Sequence, residues 1–241
     1  MGFKKRIENA FISFPVLYQI GSKVYHHIFR SFRTLSPGAP DAIFKSFLLA
    51  KELNNNTIGD YYEFGVFRGY TFLSAYRTCQ ALCLKSSQFF GFDSFEGLPS
   101  VEGVDRGGGQ FFQGQFACSK SQVEKNIEAN GMDMTRSYLV EGFYEQSLTE
   151  DLRTQLPFKA ASVVLFDCDL YSSTKVAIDW AKVYFRNYTI VLFDDWYSYG
   201  DSNKIGQQRA FNEFLRDNPQ YIAKELWEFE KHGKSFILLC H

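Results

Sequence analysis

The sequence predicts a doubly wound α/β domain built on a mostly parallel, seven-stranded sheet, with a C-terminal antiparallel hairpin and an N-terminal helical arm. From residue 60 onward, short apolar runs alternate with amphipathic helical stretches, which is the pattern of βα units. The runs are continuously apolar, as expected for parallel strands whose two faces are both covered by helices. Near the C-terminus two runs are separated only by KHG, which indicates a hairpin at the sheet edge.

Five parallel strands and their helices follow in order along the chain. We predict strands over 60–66, 88–93, 137–141, 161–167 and 188–194. We predict helices near 69–84, 119–130, 148–155, 172–186 and 205–217, with a further helix over 41–53. The hairpin strands are expected in YIAKELWEFE and KSFILLC. Ligands of doubly wound sheets bind beyond the carboxyl ends of the strands, so the residues that follow each strand are the candidate site residues.

The N-terminal region is expected to differ in role from the rest of the chain. We expect residues 1–56 to form a helical arm with a lid or interface region, and residues 57–241 to form the main domain. Glu8, Asn9 and Gln19 interrupt the apolar residues of the arm, which argues against a signal peptide or a membrane span. The arm is expected to pack on the domain or on a second subunit, with contact to a membrane surface as the less favoured alternative.

Charge and cysteine content narrow the class of protein. The 26 Lys and Arg residues nearly balance the 27 Asp and Glu residues, so composition gives no reason to expect a nucleic-acid partner. The five cysteines show no metal-ligand spacing, which indicates a reduced, cytoplasmic protein. The four histidines show no ligand spacing either, and no catalytic role is predicted for them. The aromatic arm leads us to expect a homo-oligomer.

The ends of the first two strands favour a nucleoside ligand. In YYEFGVFRGYTF, Gly65 and Gly69 bracket a turn that lets the backbone approach a ligand closely, and Glu63 would repel a pyrophosphate. Asp93 lies where doubly wound folds place an acid that accepts two ribose hydroxyls. Together the two acids favour a nucleoside without a pyrophosphate, and S-adenosylmethionine fits this description. The alternatives are an ordinary turn at the glycines and a turn or capping acid at Asp93.

Two further strand ends carry pairs of acids. VVLFDCDLY contains Asp167 and Asp169, and TIVLFDDWY contains Asp194 and Asp195. Carboxylates that converge at one sheet edge repel each other unless a hard cation neutralises them, and oxygen ligands suit Mg²⁺. The alternative is that Asp194 and Asp195 cap a helix or are solvated.

Four motifs, in their order and spacing, resemble the macrocin O-methyltransferase family: GDYYEFGVFRGYTF, GFDSFEGLP, LFDCDLYSSTKVAID and VLFDDWY. The resemblance covers residues 57–217. It implies a class I, Rossmann-like methyltransferase fold and the transfer of a methyl group from S-adenosylmethionine to a sugar hydroxyl. It also implies that Asp167, Asp194 and Asp195 hold a divalent cation, usually Mg²⁺. The expected acceptor is a sugar-containing small molecule or a surface glycan.

The resemblance and the strand-end rule together give the candidate cofactor residues. We expect adenosine over the second strand end, the methionine part at the glycine turn, and the adenine beside the residues after the third strand. The set comprises Glu63, Phe64, Gly65, Val66, Gly69, Asp93, Ser94, Phe95, Gly142, Phe143 and Asp167.

The proton of the acceptor hydroxyl needs a base. Asp167 is the first candidate because it can touch both the cation and the hydroxyl, and Asp169 is the second. For Asp169 three other roles stay open: support of the metal ligands, a bond to substrate hydroxyls, and capping of the helix that begins near Ser172.

Two aromatic segments are candidate lids. We expect the glycine-rich stretch over residues 102–116 to cover the site, with a surface loop of no catalytic role as the alternative. The second candidate lid is DDWYSYGDSNKIG, which begins at Asp194. In it, Trp196, Tyr197 and Tyr199 are expected to stack on a sugar face.

Two other functions compete with this interpretation. A catechol-type phenol methyltransferase also uses three metal ligands on this fold, but it prefers a lysine where this chain has Leu170, and Lys175 lies on the following helix. A non-catalytic nucleoside-binding protein would tolerate loss of the three acids, and all three are present. The sugar and its hydroxyl position stay open.

Overall fold

The N-terminal arm lies outside the residues that the structure describes. A computed structural model describes residues 38–108, 110–200 and 203–240, so the expectations for residues 1–37 stay predictions. The first described helix, α1 (Ala39–Leu53), has a proline in its first turn and buries Ile43 and Phe47 against the sheet. None of the described helices is long and apolar enough to cross a bilayer.

Seven strands form one sheet, which confirms the predicted fold class. They are β1 (Asp60–Phe64), β2 (Phe89–Asp93), β3 (Ser137–Glu141), β4 (Ala161–Phe166), β5 (Ile190–Phe193), β6 (Tyr221–Phe229) and β7 (Gly233–Cys240). Their order in the sheet is β3-β2-β1-β4-β5-β7-β6. Strands β1 to β5 are parallel, whereas β7 runs antiparallel to both β5 and β6.

Helices cover both faces of this sheet. They are α2 (Tyr70–Ala81), α3 (Lys120–Ala129), α4 (Tyr144–Ser147), α5 (Leu152–Gln155), α6 (Tyr171–Ala181) and α7 (Gly206–Asp217). The helix predicted over 148–155 is shorter in the structure. Thr149 Oγ1 accepts the N–H of Leu152 and sets the start of α5, and Pro157 prevents its extension.

The hydrophobic core has two layers, one on each face of the sheet. Side chains alternate along β1, so Tyr61 lies in the layer with α1 and α2, whereas Tyr62 and Phe64 lie in the layer with α6 and α7. Every residue of β1 and β4 is buried. This is the burial expected of parallel strands covered on both faces.

The sheet register places the carboxyl ends of β1, β4 and β5 side by side. Phe64 pairs with Phe166, and Phe166 pairs with Phe193. Two backbone bonds extend this alignment past the strands: Asp167 N donates to Phe64 O (2.8 Å), and Asp194 N donates to Phe166 O (3.1 Å). The residues that follow these three strands are therefore neighbours.

A row of stacked phenylalanine rings lies directly behind these strand ends. Phe64 stacks on Phe92 at 4.7 Å and on Phe166 at 5.2 Å between ring centroids, and Phe166 stacks on Phe193 at 5.1 Å. Each of the four rings immediately precedes a candidate site residue in the sequence. The row therefore supports the site from inside the core.

We expect Phe64→Ala to lower the free energy of unfolding by about 3–5 kcal/mol, because it leaves a cavity in the middle of the ring stack. Urea unfolding measures this change. Phe44→Ala is the matched control, since Phe44 is 40% exposed on α1, and it should change the free energy by about 0.5 kcal/mol or less. Equal losses in the two variants would contradict a structural role for the stack.

Candidate functional site

A cavity of about 510 Å³ opens at the carboxyl edge of the sheet. Residues that follow each of the five parallel strands contribute to its wall, together with the 102–116 segment and the hairpin between β6 and β7. The volume lies within the range of sites that bind cofactor-sized molecules.

The turn after β1 brings backbone to the cavity wall. Gly65 has a φ of 94°, and a Cβ there would lie 1.8 Å from the carbonyl oxygen of Asp167. Gly69 has a φ of 82°, and a Cβ there would lie 2.6 Å from the side chain of Ile127 on α3. Only glycine allows both the conformation and the close approach at these positions. Gly65 and Val66 line the cavity.

Asp93 holds this turn through three backbone hydrogen bonds. Its Oδ2 accepts from Val66 N (2.7 Å) and Phe67 N (2.9 Å), and its Oδ1 accepts from Phe95 N (2.7 Å). Burial raises the pKa of Asp93, and these amide bonds act against the rise. A carboxylate offers about four acceptor positions. Asp93 is thus a turn acid that also lines the cavity, and its contact with a ribose hydroxyl stays a prediction.

The candidate cofactor residue Glu63 lies beneath the turn and outside the cavity wall. It is fully buried, and its carboxylate accepts from Tyr61 OH at 2.6 Å and from Thr71 Oγ1 at 2.7 Å. Burial raises the pKa of Glu63 to about 8, against the effect of these two hydroxyl groups. Thr71 does line the cavity, so Glu63 can influence a ligand through Thr71.

The other candidate cofactor residues lie in three different places. Ser94 and Phe143 line the cavity. The side chains of Phe64 and Phe95 lie in the hydrophobic core, so the structure does not bring them to the cavity. Gly142, with a φ of 130°, donates its N–H to the last carbonyl of β2 (3.0 Å) and joins the ends of β2 and β3.

Asp167, Asp194 and Asp195 converge in the cavity. One carboxylate oxygen of each lies within 4.8 Å of the others. Burial raises the pKa of Asp167 well above its ordinary value, and the charges of Asp194 and Asp195 raise it further. Burial also raises the pKa of Asp195 to about 6, against the hydrogen bond from Ser198 Oγ (2.7 Å).

The second carboxylate oxygen of Asp195 is buried and has no hydrogen-bond partner in the described part of the chain. Such an atom costs about 1–3 kcal/mol unless a ligand completes it. Three clustered carboxylates with an unused oxygen fit a hard divalent cation, which prefers oxygen ligands.

Asp169 lies in the same wall but outside this group of three acids. It is buried, and its backbone has a φ of 59°, which is uncommon for a residue other than glycine. Burial raises the pKa of Asp169 well above its ordinary value, followed by the charges of Asp195 and Asp194. The capping alternative for Asp169 is wrong, because Asp105 Oδ1 accepts the N–H of Ser172 (3.2 Å) in the first turn of α6.

The 102–116 segment lies against the cavity and contacts the loop that follows β5. Gln110 Nε2 donates to Ser198 O (3.2 Å), and the rings of Phe111 and Tyr199 lie 5.7 Å apart. Gln110 and Phe111 both line the cavity. The two candidate lid segments are therefore in contact with each other.

The expectation that Trp196 stacks on a sugar is wrong. Its ring is buried in the core, 5.3 Å from the ring of Phe193 and 4.7 Å from that of Phe236. Tyr197 donates its hydroxyl to Glu228 on β6 (2.7 Å). Both side chains thus stabilise the sheet edge.

The hairpin between β6 and β7 supplies residues that the sequence analysis missed. Glu230, Lys231 and His232 line the cavity. They follow β6 and precede β7, and β6 runs in the direction of β5 because both strands are antiparallel to β7. The sequence analysis applied the strand-end rule to the five parallel strands and not to the hairpin. The predicted hairpin contained the signal, because an antiparallel strand begins where its parallel neighbour ends. Arg68, whose guanidinium lies 4.6 Å from the centre of the Phe67 ring, was also missed.

The chain is similar to one protein family and to several solved structures. Residues 47–226 match the family described as Macrocin-O-methyltransferase (TylF). The O-methyltransferase NovP superposes with a TM-score of 0.68 at 19% identity, over 82% of this chain and 78% of that chain. CalS11, a calicheamicin methyltransferase, gives a TM-score of 0.62 at 22% identity, over 82% of this chain and 78% of that chain.

An apo structure of CalS11, described as a TDP-rhamnose 3'-O-methyltransferase, gives a TM-score of 0.55 at 18% identity, over 82% and 79% of the two chains. At these identities the likeness shows the shared fold. No curated protein gives a significant match.

We expect the Glu63 carboxyl to lower stability as the pH rises from about 4.5 to about 8. The folded state holds the proton of Glu63 more tightly than the unfolded state does. Protonation of Glu63 therefore stabilises the folded state fully below pH 4.5, and this stabilisation is lost as the pH rises through about 8. Glu63→Gln should remove the contribution of Glu63 and leave the contribution of the other buried acids, such as Asp195. Urea unfolding on both sides of the window measures it, with Glu128→Gln, exposed on α3, as the control. A wild-type profile that Glu63→Gln does not flatten would contradict the assignment.

We expect Mg²⁺ to raise the melting temperature of the wild type, because a cation relieves the repulsion among the three clustered carboxylates. Asp194→Asn should bind Mg²⁺ with about tenfold lower affinity, because the number of charged ligands sets the affinity of a cation site. Its melting temperature should therefore rise less at the same Mg²⁺ concentration. Without Mg²⁺ the same variant should melt above the wild type, because one repelling charge is gone. Differential scanning calorimetry measures both effects, with the exposed Asp151→Asn as the control. Equal responses in all three proteins would exclude a cation site here.

Proposed function

Because this chain belongs to the macrocin O-methyltransferase family, we propose that it transfers the methyl group of S-adenosylmethionine to a hydroxyl group of a sugar. The observation that carries this proposal is the meeting of the glycine turn with Asp167, Asp194 and Asp195 in one cavity. The turn suits a cofactor that backbone groups contact closely, and the acids suit a hydroxyl group and the cation that activates it.

The cofactor would lie along the ends of β1 and β2. The backbone of Gly65 and Val66 would contact the methionine part, and Asp93 with Ser94 would meet the ribose. Phe143, after β3, would border the adenine. The buried carboxylate of Asp93 supports a cofactor without phosphate groups, because a phosphate at this turn would be repelled.

Asp167, Asp194 and Asp195 would hold a divalent cation, with Mg²⁺ as the first candidate. When bound, such a cation lowers the pKa of a hydroxyl group that contacts it. The spacing of the three carboxylates and the unused oxygen of Asp195 support this assignment. The set contains oxygen ligands only, which favours Mg²⁺ over zinc.

Asp169 is the residue that we propose as the base. The sequence pattern favours Asp167, but Asp167 belongs to the carboxylates that suit the cation, and a carboxylate bound to a cation is a weak base. The raised pKa of Asp169 makes its carboxylate a stronger base than an exposed one. The acceptor oxygen bonds to the methyl carbon as the carbon–sulfur bond breaks, its proton passes to Asp169, and S-adenosylhomocysteine leaves.

The 102–116 segment would keep water away from this transfer. Gln110 and Phe111 contact the loop that carries Ser198 and Tyr199, so the two segments together close one side of the cavity. Exclusion of water strengthens the interactions between the carboxylates and the reacting groups.

A sugar acceptor is supported by the family and by a relative. The family is described as Macrocin-O-methyltransferase (TylF), and CalS11 is described as a TDP-rhamnose 3'-O-methyltransferase. The catechol alternative lacks support from the residues. Leu170 is fully buried at the place of the expected lysine, and Lys175 forms an ion pair with Asp179 on α6.

We expect a methyl-transfer assay with S-adenosylmethionine and Mg²⁺ to yield a methylated sugar, detected by mass spectrometry. The acceptors are TDP-rhamnose, a neutral methyl rhamnoside and catechol. Asp169→Asn should lower kcat about 10²–10⁴-fold, the usual effect of losing a general base. Asparagine tolerates the left-handed backbone of this position, so the cofactor Kd should stay unchanged. Asp151→Asn, exposed and outside the cavity wall, is the control.

Two results would overturn the proposal in different ways. Methylation of catechol but of neither sugar would retain the methyltransferase and reject the sugar acceptor. Failure of titration calorimetry to detect S-adenosylmethionine binding in the wild type, with or without Mg²⁺, would reject the cofactor assignment itself.

A further inference from the structure

The antiparallel strand β7 begins at the functional edge of the sheet. Its register with β5 places Lys234 opposite Phe193, so the residues before Lys234 lie beside the residues after Phe193. A backbone bond fixes this arrangement, because Tyr197 N donates to His232 O (2.9 Å). The topology therefore brings His232 next to the loop that begins with Asp194.

The tip of the hairpin is shaped by close packing. A Cβ at Gly233 would lie 2.3 Å from the ring of Phe229, so a larger residue there would displace the ring or the turn. The absence of a side chain at Gly233 lets the chain turn tightly between β6 and β7. This packing and the bond to Tyr197 hold the backbone of His232 in a defined place.

The imidazole of His232 has hydrogen-bonding capacity that the described residues do not use. His232 lines the cavity together with Asp194 and Asp195. Its Nδ1 is buried and, within the described ranges, has no hydrogen-bond partner. A buried polar atom in this state is destabilising, and a ligand that completes the bond removes this cost. A sugar hydroxyl is suited to this, since it both donates and accepts.

The position of His232 separates it from the cofactor side of the cavity. The strand order runs β2-β1-β4-β5-β7, and neighbouring strands lie about 4.8 Å apart. Strand β7 is thus about 19 Å from β2, which carries Asp93, but about 5 Å from β5, which leads to the acids. A molecule that reaches His232 past the acids is the acceptor and not the cofactor.

We propose that His232 binds the sugar acceptor through a hydrogen bond between its imidazole and a second sugar hydroxyl, beside the one that receives the methyl group. This inference rests on the proposed function. The contact fixes the orientation of the sugar ring and thereby selects which hydroxyl meets the methyl group. His232 is in this sense a specificity-determining residue, and Asp169 keeps its role as the base.

Steady-state kinetics of His232→Leu and His232→Asn test the proposal. The acceptor is the sugar that the wild type methylates, and TDP-rhamnose is tried first. Leucine has no polar atom, and we expect the KM for the acceptor to rise about tenfold, the loss of one hydrogen bond. Asparagine keeps a polar atom near the Nδ1 position and should restore most of the affinity. The Kd for S-adenosylmethionine should stay unchanged in both variants. Lys224→Ala, exposed on β6 and outside the cavity wall, is the control.

A structural role for His232 would give a different pattern. If His232 only supported the fold, His232→Leu would raise the Kd for S-adenosylmethionine and lower the melting temperature along with any rise in the acceptor KM. This result would overturn the proposal. Unchanged acceptor KM in His232→Leu also overturns it while leaving the sugar methyltransferase intact. A wild type that methylates no sugar rejects the proposed function, and the inference with it.

Discussion

The alignment of the parallel strand ends is the constraint on which the whole site depends. Strands β1, β4 and β5 each end on a phenylalanine of one stacked row, and the residue after each phenylalanine lines the cavity. Where those next residues are Asp167 and Asp194, the sheet forces together negative charges that would separate in solution. Burial makes the largest contribution to the raised pKa of Asp167, and repulsion from the charge of Asp194 makes the next largest. The burial of the rings offsets this repulsion, so the same residues that build the core make the acidic cluster possible.

The polar groups of the cavity differ in how well the protein satisfies them. Asp93 and Glu63, beside and beneath the glycine turn, already accept hydrogen bonds from backbone amides or hydroxyl groups. On the opposite side, one oxygen of Asp195 and Nδ1 of His232 have no partner among the residues described. Folded proteins rarely leave buried polar atoms unpaired without a functional reason. The distribution therefore separates a preformed region from a region that is complete only with its ligands.

The sequence predicts the sheet well because the apolar runs of β1, β4 and β5 are fully buried and each is followed directly by a glycine or an acid. It also predicts that the three acids meet, since parallel strands end at one edge. It cannot tell which face each residue of β1 occupies, because both faces are apolar, and this is why Phe64 was assigned to the cofactor. Contacts between distant segments have no local signal. The bond from Ser172 to Asp105 is of this kind.

The cap of α6 links the 102–116 segment to the backbone near Asp169, the residue that we propose as the base. The helix begins two residues after Asp169, and no side chain at its own N-cap position binds its first turn. The acceptor comes from Asp105, in the glycine-rich segment, 67 residues away from Ser172. Loss of a side-chain cap costs a helix about 1 kcal/mol, so breaking the bond between Ser172 and Asp105 would weaken the first turn of α6 and the backbone beside Asp169. The order of the backbone beside Asp169, the residue proposed as the base, therefore depends on a contact from the 102–116 segment.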